Sequence, residues 1–199
     1  MMNDAVSVTT LFPGRLTVCT YGGFAPVCYK NPASQLVGLD VSFLTRFAES
    51  LGLAIVTIEK PFNDIWTWPG KEKGVCDIAG AGVMKRADRP TGPRASWSDA
   101  YFDVNRSLLV RTGDKAAFDD HGQLKEKKLV VTKGSTADID ARKRYPNCEI
   151  LYVHKVAEGR PDPQEFIVTT LLANHDVDAF GEGDVSNQYL RDKYAKDVT

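Results

Sequence analysis

The chain has 199 residues, enough for one large or two small domains with cores of their own. Hydrophobic residues make up 43% and charged residues 26%, an ordinary globular composition, and the net charge of -1 gives no basic footprint for nucleic acid. The expected partner is a small molecule or another protein. No apolar run reaches the ~18 residues that cross a bilayer. Met1 to Gly14 lacks the basic and apolar regions of a secretory signal, so none is read in this chain.

Strand-like and helix-like patterns alternate along the chain. Leu16 to Thr20 reads as a strand. Leu39, Phe43, Phe47 and Leu51 recur every fourth residue and predict an amphipathic helix with that stripe as its buried face, stopped by Gly52. Leu53 to Glu59 is a second strand. A short helix is predicted over Phe62 to Trp68, and a third strand over Cys76 to Ala81. This β-α-β-α-β order predicts a parallel sheet covered by helices. Pro90, Gly92 and Pro93 mark Lys85 to Ser98 as loop. Val104 to Val110 is strand-like again. Then come a helix over His121 to Lys127, a strand over Lys128 to Thr132, a helix over Thr136 to Tyr145 and a strand over Glu149 to Val153. A helix over Asp162 to Ala173, a strand over Val177 to Phe180 and a helix over Ser186 to Tyr194 complete the order. The pattern predicts two α/β units joined near Tyr101 to Arg106, residues 1–103 and 104–199. A ligand cleft is expected between them, as at other domain junctions and strand C-termini.

Several chemistries find no support. The four cysteines form no CxxC pair, and His121, His154 and His175 have no metal-ligand spacing. Gly80-x-Gly82 lacks the third glycine of a dinucleotide loop, and there is no Gly-x-Ser-x-Gly. No metal and no cofactor is expected. Cys19 and Cys76 fall inside predicted strands and read as small buried apolar residues. A disulfide among the cysteines, with Cys28 as a candidate, is left open by the sequence.

Spaced segments from residue 15 to 195 resemble the family 3 extracellular solute-binding proteins, the amino-acid-binding components of ABC importers. They are Leu16 to Pro26, Val37-Gly-Leu-Asp-Val41 at a helix start, and Phe62-Asn-Asp-Ile-Trp66. Asp77-Ile-Ala-Gly-Ala-Gly82 followed by Arg89, Trp97 to Tyr101, Lys133 to Thr136 and Val177-Asp-Ala179 complete the set. The resemblance implies a two-lobed α/β fold, the type II periplasmic binding protein or Venus flytrap, with mostly parallel sheets flanked by helices. It implies an amino acid or related organic acid as ligand, a membrane permease as partner and a periplasmic location. The chain departs from the family pattern in two places. Met84 stands where the family usually has a hydroxyl residue, and the chain reaches Thr199 before the family's return to the first lobe.

The candidate site residues follow. Arg89 offers the planar fork that pairs both oxygens of a carboxylate, and the resemblance gives it that role. Gly82 suits a close approach of backbone to ligand, or a tight turn at a strand end. Phe24 and Phe62 are candidate aromatic walls that bury a ligand's apolar part and attract its ammonium, or ordinary core aromatics. Trp66 and Trp68 read as core or rim. Gly134, Ser135 and Thr136 precede a helix whose free N–H groups favour an anion, and Ser135 is also a simple N-cap. Asp184 is the candidate partner for the ligand's amine, although Gly183 falls on the family's spacing and Glu182 is a rival. The expected function is solute binding without chemistry, the ligand favouring a closed form. The alternatives are a cyclohexadienyl dehydratase on the same scaffold, which needs an acid or base in the cleft, and a ligand-sensing domain.

Overall fold

The computed structural model of the chain describes residues 8–71, 74–118, 124–194 and 198–199. The chain divides into two compact units, Met1–Asp99 and Ala100–Thr199.

In the first unit, strand β1 (Arg15–Thr20) is followed by the short strands β2 (Gly23–Phe24), β3 (Cys28–Lys30) and β4 (Leu36–Val37). Helix α1 (Leu39–Ser50) and strands β5 (Ala54–Glu59) and β6 (Ile78–Ala79) complete it. A parallel sheet of order β5-β1-β6 forms the base, with Thr17 beside Val56 and Val18 beside Ile78. The strands β2, β3 and β4 make a separate antiparallel meander that the sequence pattern did not predict. Its second turn is built by Asn31, whose side-chain oxygen accepts from Ala33 N–H at 3.0 Å and Gln35 N–H at 2.9 Å. The predicted third strand shrinks to the two residues of β6, and the predicted helix near Trp66 is a single 3₁₀ turn over Ile65–Thr67.

Helix α1 forms where expected, and Gly52 at φ 68° ends it in the left-handed conformation. Its buried face is not the expected one. Leu39, Phe43 and Phe47 are 45%, 46% and 41% exposed, while Asp40, Leu44 and Ala48 are buried. Two adjacent stripes of period four run along this helix, and tertiary bonds choose between them. The Leu39 and Asp40 N–H groups bond to the Pro26 and Val27 carbonyls. The Asp40 carboxylate accepts from Gly82 N–H. Leu44 and Ala48 then pack on Leu16 and Val18.

The cysteine reading is corrected as well. Cys19 of β1 and Cys76, two residues before β6, form a disulfide, and Cys28 lies buried outside it. Strands β1 and β6 are paired neighbours in the sheet, and Cys76 leads into β6, which brings the sulfurs together across 57 residues of chain.

The second unit carries β7 (Arg106–Val110), β8 (Lys128–Val131), α2 (Thr136–Arg144), β9 (Glu149–Tyr152), α3 (Val153–Val156), α4 (Pro163–Phe166), β10 (Ala179–Gly183) and α5 (Asp184–Lys193). Its sheet has the order β7-β10-β8-β9, with β7 antiparallel to β10 and the other pairs parallel. One side is filled by Phe180, Ile167, Leu172 and Leu190, the other by Leu129, Val131, Ala137 and Ala179. This alternation along β8 and β10 is what a sheet covered on both faces requires.

The helix expected over His121 to Lys127 is not found: residues 121–123 lie outside the described residues, and Leu124 to Lys127 is not helical. A 3₁₀ segment, Thr112–Phe118, precedes it. The helix expected over Asp162 to Ala173 starts as α4, capped by Asp162, and widens into a π-helical segment, Ile167–Leu172.

Asp178 ties the start of β10 to its surroundings. It accepts from Lys128 N–H at 2.9 Å, and its other oxygen meets Lys127 at 3.1 Å and Arg111 at 3.4 Å. Burial pushes its pKa up, but these three donors outweigh burial and hold the carboxyl below its ordinary value. An Asp178→Ala variant is expected to lose about 2 kcal/mol of unfolding free energy in urea titrations. The loss is largest above pH ~4, where an unfolded carboxyl is ionised. It disappears as the pH falls through the lowered folded-state pKa, because the wild-type carboxylate is then protonated too.

Candidate functional site

In the first unit, polar and aromatic groups converge on Arg89. The residue sits in the loop after β6 and is only 3% exposed. Its guanidinium donates to the Met84 carbonyl at 3.1 Å. The guanidinium carbon lies 4.7 Å from the centre of the Trp66 ring and 5.6 Å from that of Phe62. Phe62 in turn meets Trp66 and Tyr21 edge-on, at 6.4 and 5.7 Å between ring centres. The guanidinium thus lies close to two rings inclined at 68° to one another, and its planar fork is the shape that pairs both oxygens of a carboxylate. Each such cation–π contact is worth about 0.5–2 kcal/mol when desolvated.

Gly82 and Phe24 pack against one another. Gly82 has φ 59°, and a Cβ there would lie 2.6 Å from the Phe24 ring. Only glycine fits both conditions. Its N–H is bound at 2.5 Å by the Asp40 carboxylate, so the role of this donor is to fix the loop against α1. Met84 is half-buried, and its backbone carbonyl accepts from Arg89.

Trp66 and Asp40 were missed as site-building residues. Trp66 closes the Phe62-Asn-Asp-Ile-Trp66 segment that carries part of the family resemblance, and this was the available signal. Nothing in the sequence marked Asp40 as the partner of a glycine 42 residues away.

In the second unit, the residues before α2 form a reciprocal cap. Ser135 Oγ accepts from Asp138 N–H at 3.1 Å, and the Asp138 carboxylate accepts from Gly134 N–H at 3.0 Å. Thr136 is the first residue of the helix, half-buried. Asp184 opens α5, and its carboxylate accepts from Asn105 N–H and Asn105 Nδ2, both at 3.1 Å, and from Val185 N–H at 2.9 Å. These bonds anchor α5 to the segment entering β7.

Glu182 stands differently. It lies in β10, which the sequence pattern had ended at Phe180. Gly181 pairs with Val131, which brings Glu182 beside Thr132 at the end of β8. The Thr132 hydroxyl donates to Glu182 at 3.2 Å. The residue is 7% exposed. Burial pushes its pKa up to about 7, against the smaller opposing effects of the Thr132 hydroxyl and the Gly183 N–H. Among the described residues no group of three or more His, Cys, Asp or Glu side chains is placed to hold a metal ion. Nor is any helix long and apolar enough to cross a membrane.

The model of the bacterial extracellular solute-binding proteins, family 3, matches residues 16–186. The chain belongs to this family. It is 28% identical over 136 residues to a probable histidine-binding protein of Neisseria gonorrhoeae, a match covering 68% of the chain and 49% of the relative. It is 25% identical over 163 residues to the cyclohexadienyl dehydratase of Pseudomonas aeruginosa, covering 75% of the chain and 58% of that enzyme. The chain thus spans about half the length of these curated relatives. Among solved structures, an ancestral arginine-binding protein bound to arginine superposes with a TM-score of 0.77 at 23% identity, over 94% of the chain and 77% of that protein. At that identity the likeness shows the fold, that of the type II periplasmic binding proteins, in agreement with the architecture predicted from sequence.

Proposed function

We propose that this solute-binding protein takes a zwitterionic, amino-acid-like solute for ABC-type import, with a membrane permease as its partner and the periplasm as its place of work. The observation that carries the reading is the buried guanidinium of Arg89 beside Trp66 and Phe62. It is a carboxylate receptor with aromatic walls. Within the second unit the carboxyl of Glu182 is buried next to Thr132, while Asp184 is engaged at the start of α5. In the first unit Met84 supplies a backbone carbonyl to Arg89, and in the second Gly134, Ser135 and Thr136 form the start of α2. Calorimetric titration with the common L-amino acids tests the proposal. The expected result is saturable one-to-one binding of at least one of them, and no binding by any would end it.

A second reading is favoured by one observation. Burial raises the pKa of Glu182 to about 7, the range that suits a general acid in a dehydratase. The test is formation of product from prephenate or arogenate by the wild-type protein and its loss in Glu182→Gln. The same chain without turnover but with amino-acid binding is the outcome expected from the binding reading.

A further inference from the structure

We propose that the second unit holds a binding site for a small organic anion with an apolar body, of the class of the aromatic carboxylates. The site lies wholly within Ala100–Thr199, between α2, β7 and the 3₁₀ segment Thr112–Phe118. It shares no residue with the surroundings of Arg89, and the inference does not depend on the solute reading above.

The observation is a cavity of about 300 Å³, at the small end of the range for small-molecule pockets. The packing explains why it is open. Ala137 and Ala141 stand four residues apart on one face of α2 and are buried against the sheet with Leu129, Val131 and Ala179. Gly181 of β10 lines the same space. These three positions carry no long side chain, and the gap they leave is bordered by Leu108 and Val110 of β7, Phe118 and Tyr145. The wall is therefore apolar, and of the four bordering side chains only Leu108 is more than slightly exposed.

The polar part of the lining is one-sided in charge. Arg106 of β7, Arg144 of α2 and Lys115 of the 3₁₀ segment border the cavity, against the single carboxylate of Asp140. Arg144 Nε lies 3.0 Å and Arg106 Nε 3.9 Å from the same oxygen of Asp140. One carboxylate thus serves two guanidinium groups, and among the described residues no carboxylate pairs with Lys115. These side chains carry an excess of two positive charges. They are also the exposed part of the lining, with the Arg106 and Arg144 side chains 31% and 51% exposed.

This polarity sets the chemistry of the ligand. A neutral apolar molecule would bury its body but leave the cations without a partner. A bare anion would meet arginines that water already screens, which gains little. A molecule with both parts lays its body on the apolar wall and brings its carboxylate to the guanidinium groups, whose planar forks suit it.

The probe is 1-naphthoate, an apolar bicycle carrying one carboxylate, titrated into the full chain and followed by NMR of the methyl groups. Affinity is read from the methyls of Leu108 and Val110, which border this cavity. The expected result is saturable ring-current shifts at both residues with Kd below ~1 mM. The neutral 1-naphthalenemethanol and the bodiless acetate are each expected to bind there at least ~10-fold more weakly. Lys115→Gln and Arg144→Gln lie at exposed positions and are expected to keep the fold by circular dichroism. Each is expected to weaken 1-naphthoate about fivefold, and the two together ~20-fold. An absence of shifts at Leu108 and Val110 up to ~5 mM probe overturns the inference. So does equal binding of the alcohol, or unchanged affinity in the folded double variant.

Discussion

An Arg89→Ala variant is expected to bind its amino-acid ligand at least ~100-fold more weakly than the wild type while keeping the fold. A bidentate, charge-assisted pair is worth about 3 kcal/mol when desolvated, which corresponds to a factor of ~100 in Kd. The guanidinium here is buried beside the Trp66 and Phe62 rings, so bulk water screens it little. Its position is set by the Met84 carbonyl and the two rings, so a lysine does not reproduce it. An Arg89→Lys variant keeps the charge but loses the fork, and an intermediate loss of ~10-fold is expected. The alanine variant also loses aliphatic packing against the rings, which is expected to lower the melting temperature by a few degrees. Isothermal calorimetry gives the affinity and circular dichroism the fold. Wild-type affinity in a folded alanine variant removes the carboxylate assignment.

The second large effect concerns stability. Replacing both Cys19 and Cys76 with alanine is expected to cost on the order of 4 kcal/mol. The bridge closes a loop spanning 57 residues, and the chain-entropy relation for a loop of that size gives about this value at 25 °C. The loop contains α1, β5 and the 3₁₀ turn of Trp66, so the bridge restrains most of the first unit in the unfolded chain. The double variant is expected to melt roughly 10 °C lower in a calorimetric scan. Wild-type protein held in reductant until both thiols react with a thiol reagent is expected to follow it. A difference below ~1 kcal/mol would mean that the linked residues are close in the unfolded chain as well.

The contrast between α1 and β10 shows what sequence patterning can and cannot carry. Local propensity located α1 and its glycine stop. The same residues misjudged its rotation, because Leu39-Phe43-Phe47 and Asp40-Leu44-Ala48 are neighbouring stripes of equal period. The larger hydrophobes suggested the first, and the Asp40–Gly82 bond selected the second. In β10 the pattern lost the strand at Phe180, since Gly181 and Gly183 are poor strand formers. Pairing with β7 on one side and β8 on the other carries the strand on to Gly183, and that extension buries Glu182. The cysteines show the same limit. Two small buried residues and a disulfide look alike until strand pairing places Cys19 and Cys76 side by side.

The alternation of strands and helices, the α/β fold class and the family were written in the order and spacing of residues, because hydrophobic period and turn chemistry are local properties. Which face of α1 is buried, which cysteines join, how close Trp66 and Phe62 lie to the guanidinium and why the pKa of Glu182 is raised were decided by tertiary structure alone. Each depends on desolvation or on contact between residues tens of positions apart, and neither quantity exists in a chain until it has folded.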